Sequence, residues 1–246
     1  MRITRTLRDT CGASETCDKI LDTDDPIDLL VQGRHVDPAL LTKYGIPQQE
    51  GLLAVKRTVL PAVDAPLLDA DQFGALLGRL FTRTLFRVET RGYYADDEPE
   101  FAKWRRGESG PDLAWKAGWL DKLRRDRDAG RQRRVLHVID GLTDYLRYET
   151  AWCYRPNQDA GQDIRILDLA ATHLPPSLVR AGDFLVVDDD TVVRMHYSGE
   201  GAFEGASVVN RDPAVFVALR DLMWAAAEPF PSWWARHAEL HTGQAA

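Results

Sequence analysis

A chain of 246 residues with 44% hydrophobic and 28% charged side chains can bury a sizeable core, which excludes a largely disordered protein. No stretch approaches the ~20 consecutive apolar residues that span a bilayer, and the polar opening MRITRTLRDTCG lacks the apolar centre of a secretory signal. A net charge of −7 opposes broad attraction to nucleic acid, so the expectation is a soluble, cytoplasmic protein without membrane contact.

The length admits two domains, and composition puts a boundary near residue 68. Residues 1–68 read as a small β-rich module. PIDLLVQG (26–33) predicts a strand closing on Gly33, Asp37-Pro38 a short helix through Lys43, and GLLAVKRTVL (51–60) a second strand. The proline-bearing stretch PAVDAPLLDA (61–70) reads as a linker. Cys11 and Cys17, in TCGASETCD, supply too few ligands for zinc, and neither His35 nor His137 stands at a spacing that would complete a site. They read as reduced thiols in a flexible leader, with a disulfide between them as the open alternative; Cys153 is the third cysteine.

Residues 69–246 read as an α/β or α+β domain, a mixed sheet layered with helices. Asp69 is a helix N-cap for a segment through 81, with Phe73, Leu76, Leu77, Leu80 and Phe81 at helical spacing. FRVET (86–90) predicts a strand and 96–108 a short helix with acids first and bases last. The segment 111–130 predicts a long helix with Pro111 in its first turn, an apolar stripe of Leu113, Leu120 and Leu123, and Gly130 just past its end. RRVLHVI (133–139) is a strand and 161–169 another; 142–154 reads as a helix capped at Thr143 or Asp144, with a strand as the alternative its aromatics suit. Residues 183–197 form a hairpin with an Asp-rich turn, and 202–209 a further strand. A helix from 212 to 230 with Pro213 at its first position and a helical PSWWARHAEL precede a frayed tail, HTGQAA.

Several constellations are candidates for chemistry. Glu149, Asp188 and His196 are the acid/base candidates of an enzyme. Arg147, Glu149, Arg194 and His196 are the candidate ligand-binding residues, since Arg194 and His196 share a strand face and a cation beside an imidazole holds an anion. Arg87, Glu89 and Arg91 alternate in the same way on their strand. Asp188, Asp189 and Asp190 are contiguous in a tight turn, where aspartate is favoured for local hydrogen bonding, rather than spaced as calcium ligands. Arg124, Arg125, Arg127, Arg131, Arg133 and Arg134, with tryptophans nearby, are candidates for nucleic-acid contact, though pairs such as Asp121–Arg125 suit a solvated helix face. The six histidines show no metal-ligand spacing, and phosphate-loop, nucleophile-elbow and zinc-protease motifs are absent, so no metal and no cofactor is expected.

The motifs TLFRVET (84–90), LTDYLRYE (142–149), GQDIRIL (161–167) and DFLVVDDDTVVRMHY (183–197), then GAFEGA (201–206) and the RDLMWA helix, resemble an uncharacterised bacterial domain family over about residues 70–230. The resemblance implies a high-GC Gram-positive origin, with which 25 arginines against 6 lysines agree, and a gene neighbourhood of helix-turn-helix regulators. The same stretch also resembles half of a phospholipase-D-type fold. With Asp188 as the Asp of that His-x-Lys-x-x-x-x-Asp motif, the Lys position falls on Asp183 and the His position on Ala181, so the nucleophile would be missing. The first expectation is therefore a non-enzymatic regulatory or interaction protein that binds a partner protein, such as a regulator, or a small anionic ligand. An enzyme of acid/base or phosphodiester chemistry and a nucleic-acid binder acting through 103–134 are the alternatives.

Overall fold

The computed structural model describes residues 2–9, 19–32, 52–56, 65–172 and 181–241. Two compact units divide the chain, Met1–Leu67 and Leu68–Ala246. Cys11, Cys17, the helix expected at 37–43 and the tail from 242 lie outside the described residues.

In the first unit β1 (Ile3–Asp9), β2 (Lys19–Thr23), β3 (Asp28–Gln32) and β4 (Leu52–Lys56) form an antiparallel sheet in chain order. Short polar side chains set the β2–β3 turn by bonding the nearby backbone. Thr23 Oγ1 donates to the Asp28 carbonyl at 2.7 Å, and Asp25 Oδ1 accepts the Ile27 and Asp28 N–H groups at 2.8 and 3.1 Å. Leu21 and Leu29 are buried.

The second unit is a seven-stranded mixed sheet with helices on both faces. Its strands are β5 (Thr84–Glu89), β6 (Gln132–Ile139), β7 (Gln162–Asp168), β8 (Phe184–Val187), β9 (Thr191–Tyr197), β10 (Phe203–Val208) and the short β11 (Glu228–Pro229), in the order β10-β9-β8-β5-β6-β7-β11. β5, β6 and β7 are parallel, joined through helical crossovers, and the other pairings are antiparallel. Parallel strands need such crossovers because a tight turn can only reverse the chain.

The helices are α1 (Ala70–Leu80), α2 (Glu98–Arg105), α3 (Leu113–Asp128), α4 (Asp144–Tyr148), α5 (Arg155–Asp159), α6 (Pro213–Ala226) and α7 (Phe230–Arg236). Asp69 caps α1 in a capping box with Gln72. α3 departs from expectation at its start. Asp112 is the N-cap, accepting the Ala114 and Trp115 N–H groups, so Pro111 precedes the helix, and Leu113 is exposed while Leu120 and Leu123 are buried. Gly130 follows its C-cap at φ +74°, a conformation that favours glycine. α4 and α5 are the ends of one continuous helix whose centre, Glu149–Tyr154, is wound as a π-helix.

Successive side chains of a strand point to opposite faces, which divides the core in two. On one face Phe86, Val88, Leu136, Val138, Phe184 and Val186 pack against Phe216, Met223 and Trp224 of α6. On the other, the strands meet an aromatic layer from the π-segment and its neighbouring helices, including Phe101, Trp104, Tyr145, Tyr148 and Trp152. Several of its ring pairs are edge-on, as between Phe101 and Tyr145 at 5.4 Å. The first face is apolar at its centre, with the Arg134 and Arg165 guanidinium groups over the Trp224 ring. The second buries Glu89, His137 and Glu149 amid its apolar groups, and those residues define the site.

Candidate functional site

Alternation on β5 turns Arg87 and Glu89 to the aromatic side of the sheet, and on β6 it does the same for Arg133, Val135 and His137. Parallel pairing sets Glu89 opposite His137 at the carboxyl ends of their strands, where open α/β sheets place their ligands. The third contributor descends from the helix above. In an α-helix positions five apart point ~140° away from each other. The i→i+5 bonding of the π-segment brings them back toward one side, so Glu149 and Tyr154 both reach His137.

The result is a buried cluster. Glu149 Oε2 lies 3.2 Å and Glu89 Oε2 3.8 Å from His137 Nδ1. The Tyr154 hydroxyl stands 2.5 Å from the same nitrogen and donates to Glu89 Oε2 at 2.8 Å. His137 Nε2 faces the Arg91 carbonyl at 3.0 Å. That carbonyl only accepts, so Nε2 carries a proton and Nδ1 is the nitrogen presented to the carboxylates. Burial alone depresses the His137 pKa, but the Glu149 and Glu89 carboxylates outweigh it and raise it to about 9. Burial pushes Glu149 up, against the pull of His137. Arg87 Nε pairs with Glu89 Oε1 at 2.9 Å, so each carboxylate has one cation. Glu149 Oε2 nevertheless makes no hydrogen bond. Cys153, fully buried next door, is pushed up to about 12 by burial and is no ready nucleophile.

Above the cluster runs a cavity of ≈ 530 Å³ that reaches Glu89, Glu149 and Tyr154, a size suited to a small organic ligand. Its acidic end holds those carboxylates with Asp96 and Asp97; its other end is cationic, with Lys122 and Arg133. Trp115 and Trp119 of α3 stand on its wall, 53% and 37% exposed. Arg133 is tied to Asp126 at 2.5 Å and lies 5.4 Å above the Trp119 ring. Lys122 lies 5.9 Å from that ring, and neither it nor Lys116 has an ion-pair partner among the described residues.

The residues singled out from sequence fall in several places. Glu149 is in the cluster and Arg133 lines the cavity, whereas the Arg134 guanidinium lies 5.8 Å over the Trp224 ring on the α6 face and Arg147 is half-buried and does not line the cavity. Arg194 pairs in register with Phe184 and so faces the α6 side, with His196 on the same face. They lie across the sheet from Glu149. His196 Nε2 bonds Ser207 Oγ at 2.8 Å, and burial together with Arg194 lowers its pKa. Asp188 sits at the tip of the β8–β9 hairpin, in the left-handed region at φ 52°, accepting the backbone N–H groups of Thr82, Arg83 and Thr84. The trio Glu149, Asp188 and His196 therefore does not converge. Arg124, Arg127 and Arg131 of the basic tract bond Asp121, Asp128 and Asp126, and Arg125 lies exposed on α3. On sequence spacing His137 is set aside as a zinc ligand, and it stands inside the apolar strand RRVLHVI.

No curated protein and no solved structure matches the chain. A family model described as a domain of unknown function, DUF6879, matches residues 71–235, and the chain belongs to that family.

Proposed function

We propose that the second unit is a receptor for a small anionic molecule carrying a flat ring, which it binds in the ≈ 530 Å³ cavity. The observation that carries this reading is the cationic end of the cavity, where Lys122 has no acidic partner among the described residues and lies beside the exposed face of Trp119. A cation without an acidic partner holds a phosphate or carboxylate, and an indole stacks a ring. A regulatory role in a bacterial cytoplasm, exerted through a partner protein that reads the occupied state, accords with this reading. So does descent from a phospholipase-D-like half-domain without its nucleophile, in which Asp183 bonds Thr90 and Tyr94.

The test is calorimetric titration of the full chain with inorganic phosphate, ribose 5-phosphate and adenosine monophosphate. Affinity rises along this series, and Lys122→Glu weakens it. Absence of binding by all three, or binding indifferent to Lys122→Glu, refutes the reading.

A second reading, an enzyme, is favoured by one observation: Glu149 shares the cavity floor with Glu89 and Tyr154. It requires turnover that Glu149→Gln abolishes while leaving ligand affinity intact.

A further inference from the structure

Buried carboxylates are costly unless paired and hydrogen-bonded, and this fold places two of them around one imidazole. Glu89, His137 and Glu149 each offer a ligand atom, and the three atoms lie within 4.8 Å of one another. Two bonds of about 2.1 Å at a tetrahedral angle set ligand atoms ~3.4 Å apart. The observed separations of 3.2 Å (Glu149 to His137) and 3.8 Å (Glu89 to His137) bracket that figure.

Two independent features point the group at a ligand. Glu149 is 5% exposed, yet its Oε2 has no hydrogen-bond partner and is aimed at His137 and Glu89. The imidazole is oriented from behind: its Nε2–H donates to the Arg91 carbonyl, leaving Nδ1 toward the carboxylates, which is how metal-ligating histidines are held. Arg87 fixes Glu89 from behind through Oε1, while the Tyr154 hydroxyl, 2.5 Å from His137 Nδ1 and 2.8 Å from Glu89 Oε2, stands among the ligand atoms and gives up both bonds when an ion enters.

We infer that Glu89, His137 and Glu149 form a mononuclear site for a divalent first-row transition ion of the zinc class, with its open position toward the cavity. One nitrogen and two carboxylate oxygens suit such an ion better than magnesium, which prefers an all-oxygen shell that retains several waters. The open position follows from the ligand count, since three protein ligands leave a fourth place for water or a guest. An ion there would occupy the acidic end of the cavity, remote from Lys122. The inference does not rest on anion binding at the cationic end.

The experiment takes the full chain, stripped with EDTA and dialysed free of chelator, and titrates it with zinc chloride by calorimetry, with magnesium chloride as the control. The expected result is one zinc per chain and no response to magnesium. Glu149→Gln and Glu89→Gln each weaken zinc binding more than ~10-fold, because each removes a ligand charge while keeping the side chain's shape. Wild-type crystals soaked in zinc give the location without any variant: the anomalous peak lies at bonding distance from His137 Nδ1. No stoichiometric binding, an anomalous peak elsewhere, or full zinc affinity in both variants overturns the site and leaves the cluster as an internal ion-pair network. The anion series is run in EDTA, so either reading can fail while the other stands.

Discussion

Asp188 gives the sharpest test of how the hairpin is held. Its carboxylate accepts the N–H groups of Thr82, Arg83 and Thr84 at 3.0, 2.8 and 2.7 Å and the Thr82 hydroxyl at 2.5 Å. Desolvation opposes ionisation there, but these donors prevail and hold the group at about 2. Against an ordinary value of ~3.9, such a depression is worth at most ~2.5 kcal/mol. Asp188 is only half-buried, so water returns part of that and about 1–2 kcal/mol remains. Because the folded pKa is the lower one, the contribution is complete above ~pH 4 and is lost as pH falls through about 2. Asp188→Asn keeps an acceptor and tolerates the left-handed backbone, so it loses ~1 kcal/mol at pH 6. Asp188→Ala loses all four bonds and adds left-handed strain at φ 52°, for a total of about 2–3 kcal/mol. Urea unfolding at pH 6 and at pH 2.5 measures both. The gap between wild type and Asp188→Asn must shrink by ~1 kcal/mol at the lower pH. A gap that stays constant, or widens, refutes the assignment of Asp188 to this structural role.

Three further outcomes are expected. Phe184→Ala removes a fully buried ring packed edge-on at 5.2 Å against Phe216, and chemical denaturation should show a loss of about 3–5 kcal/mol with no change in slope. Gly201 stands at φ +82° with the Tyr93 carbonyl oxygen 2.9 Å from where a Cβ would sit, so Gly201→Ala should lower the melting temperature by several degrees, a cost of ~2 kcal/mol. Lys122→Glu should weaken adenosine monophosphate binding about tenfold, whereas Arg194→Ala and His196→Ala, on the opposite sheet face, should leave it within twofold by calorimetry.

Most of the second unit was legible in its sequence because its segments obey one period each. The Asp69 cap, the 3.6-residue spacing through Phe81, the alternation of FRVET and the Asp-rich hairpin turn are local signals, and local physics settles them. The site was only half legible. Alternation showed that Arg87 and Glu89 share a face, and Glu149 was a candidate for both acid/base chemistry and ligand binding. What joined them was not local: parallel register between β5 and β6, and a π-wound segment for which the sequence gives no periodic sign. His137 was hidden for the same reason, since an isolated histidine in an apolar strand reads as core until its neighbours across the sheet are known. Arg194 and His196 show the converse limit. Alternation correctly pairs them on one face, yet it cannot tell which face carries the cavity.

That the ligand lies on the α3 side of the sheet is open to one direct measurement. The chain has seven tryptophans, and 5-fluorotryptophan labelling gives each its own 19F resonance. Addition of adenosine monophosphate should shift Trp115 and Trp119, which wall the cavity, and leave unmoved Trp224, which packs against Phe86 on the far face. A shift at Trp224 with Trp115 and Trp119 unmoved would place binding on the opposite sheet face, beside Arg134 and Arg165, and contradict the account.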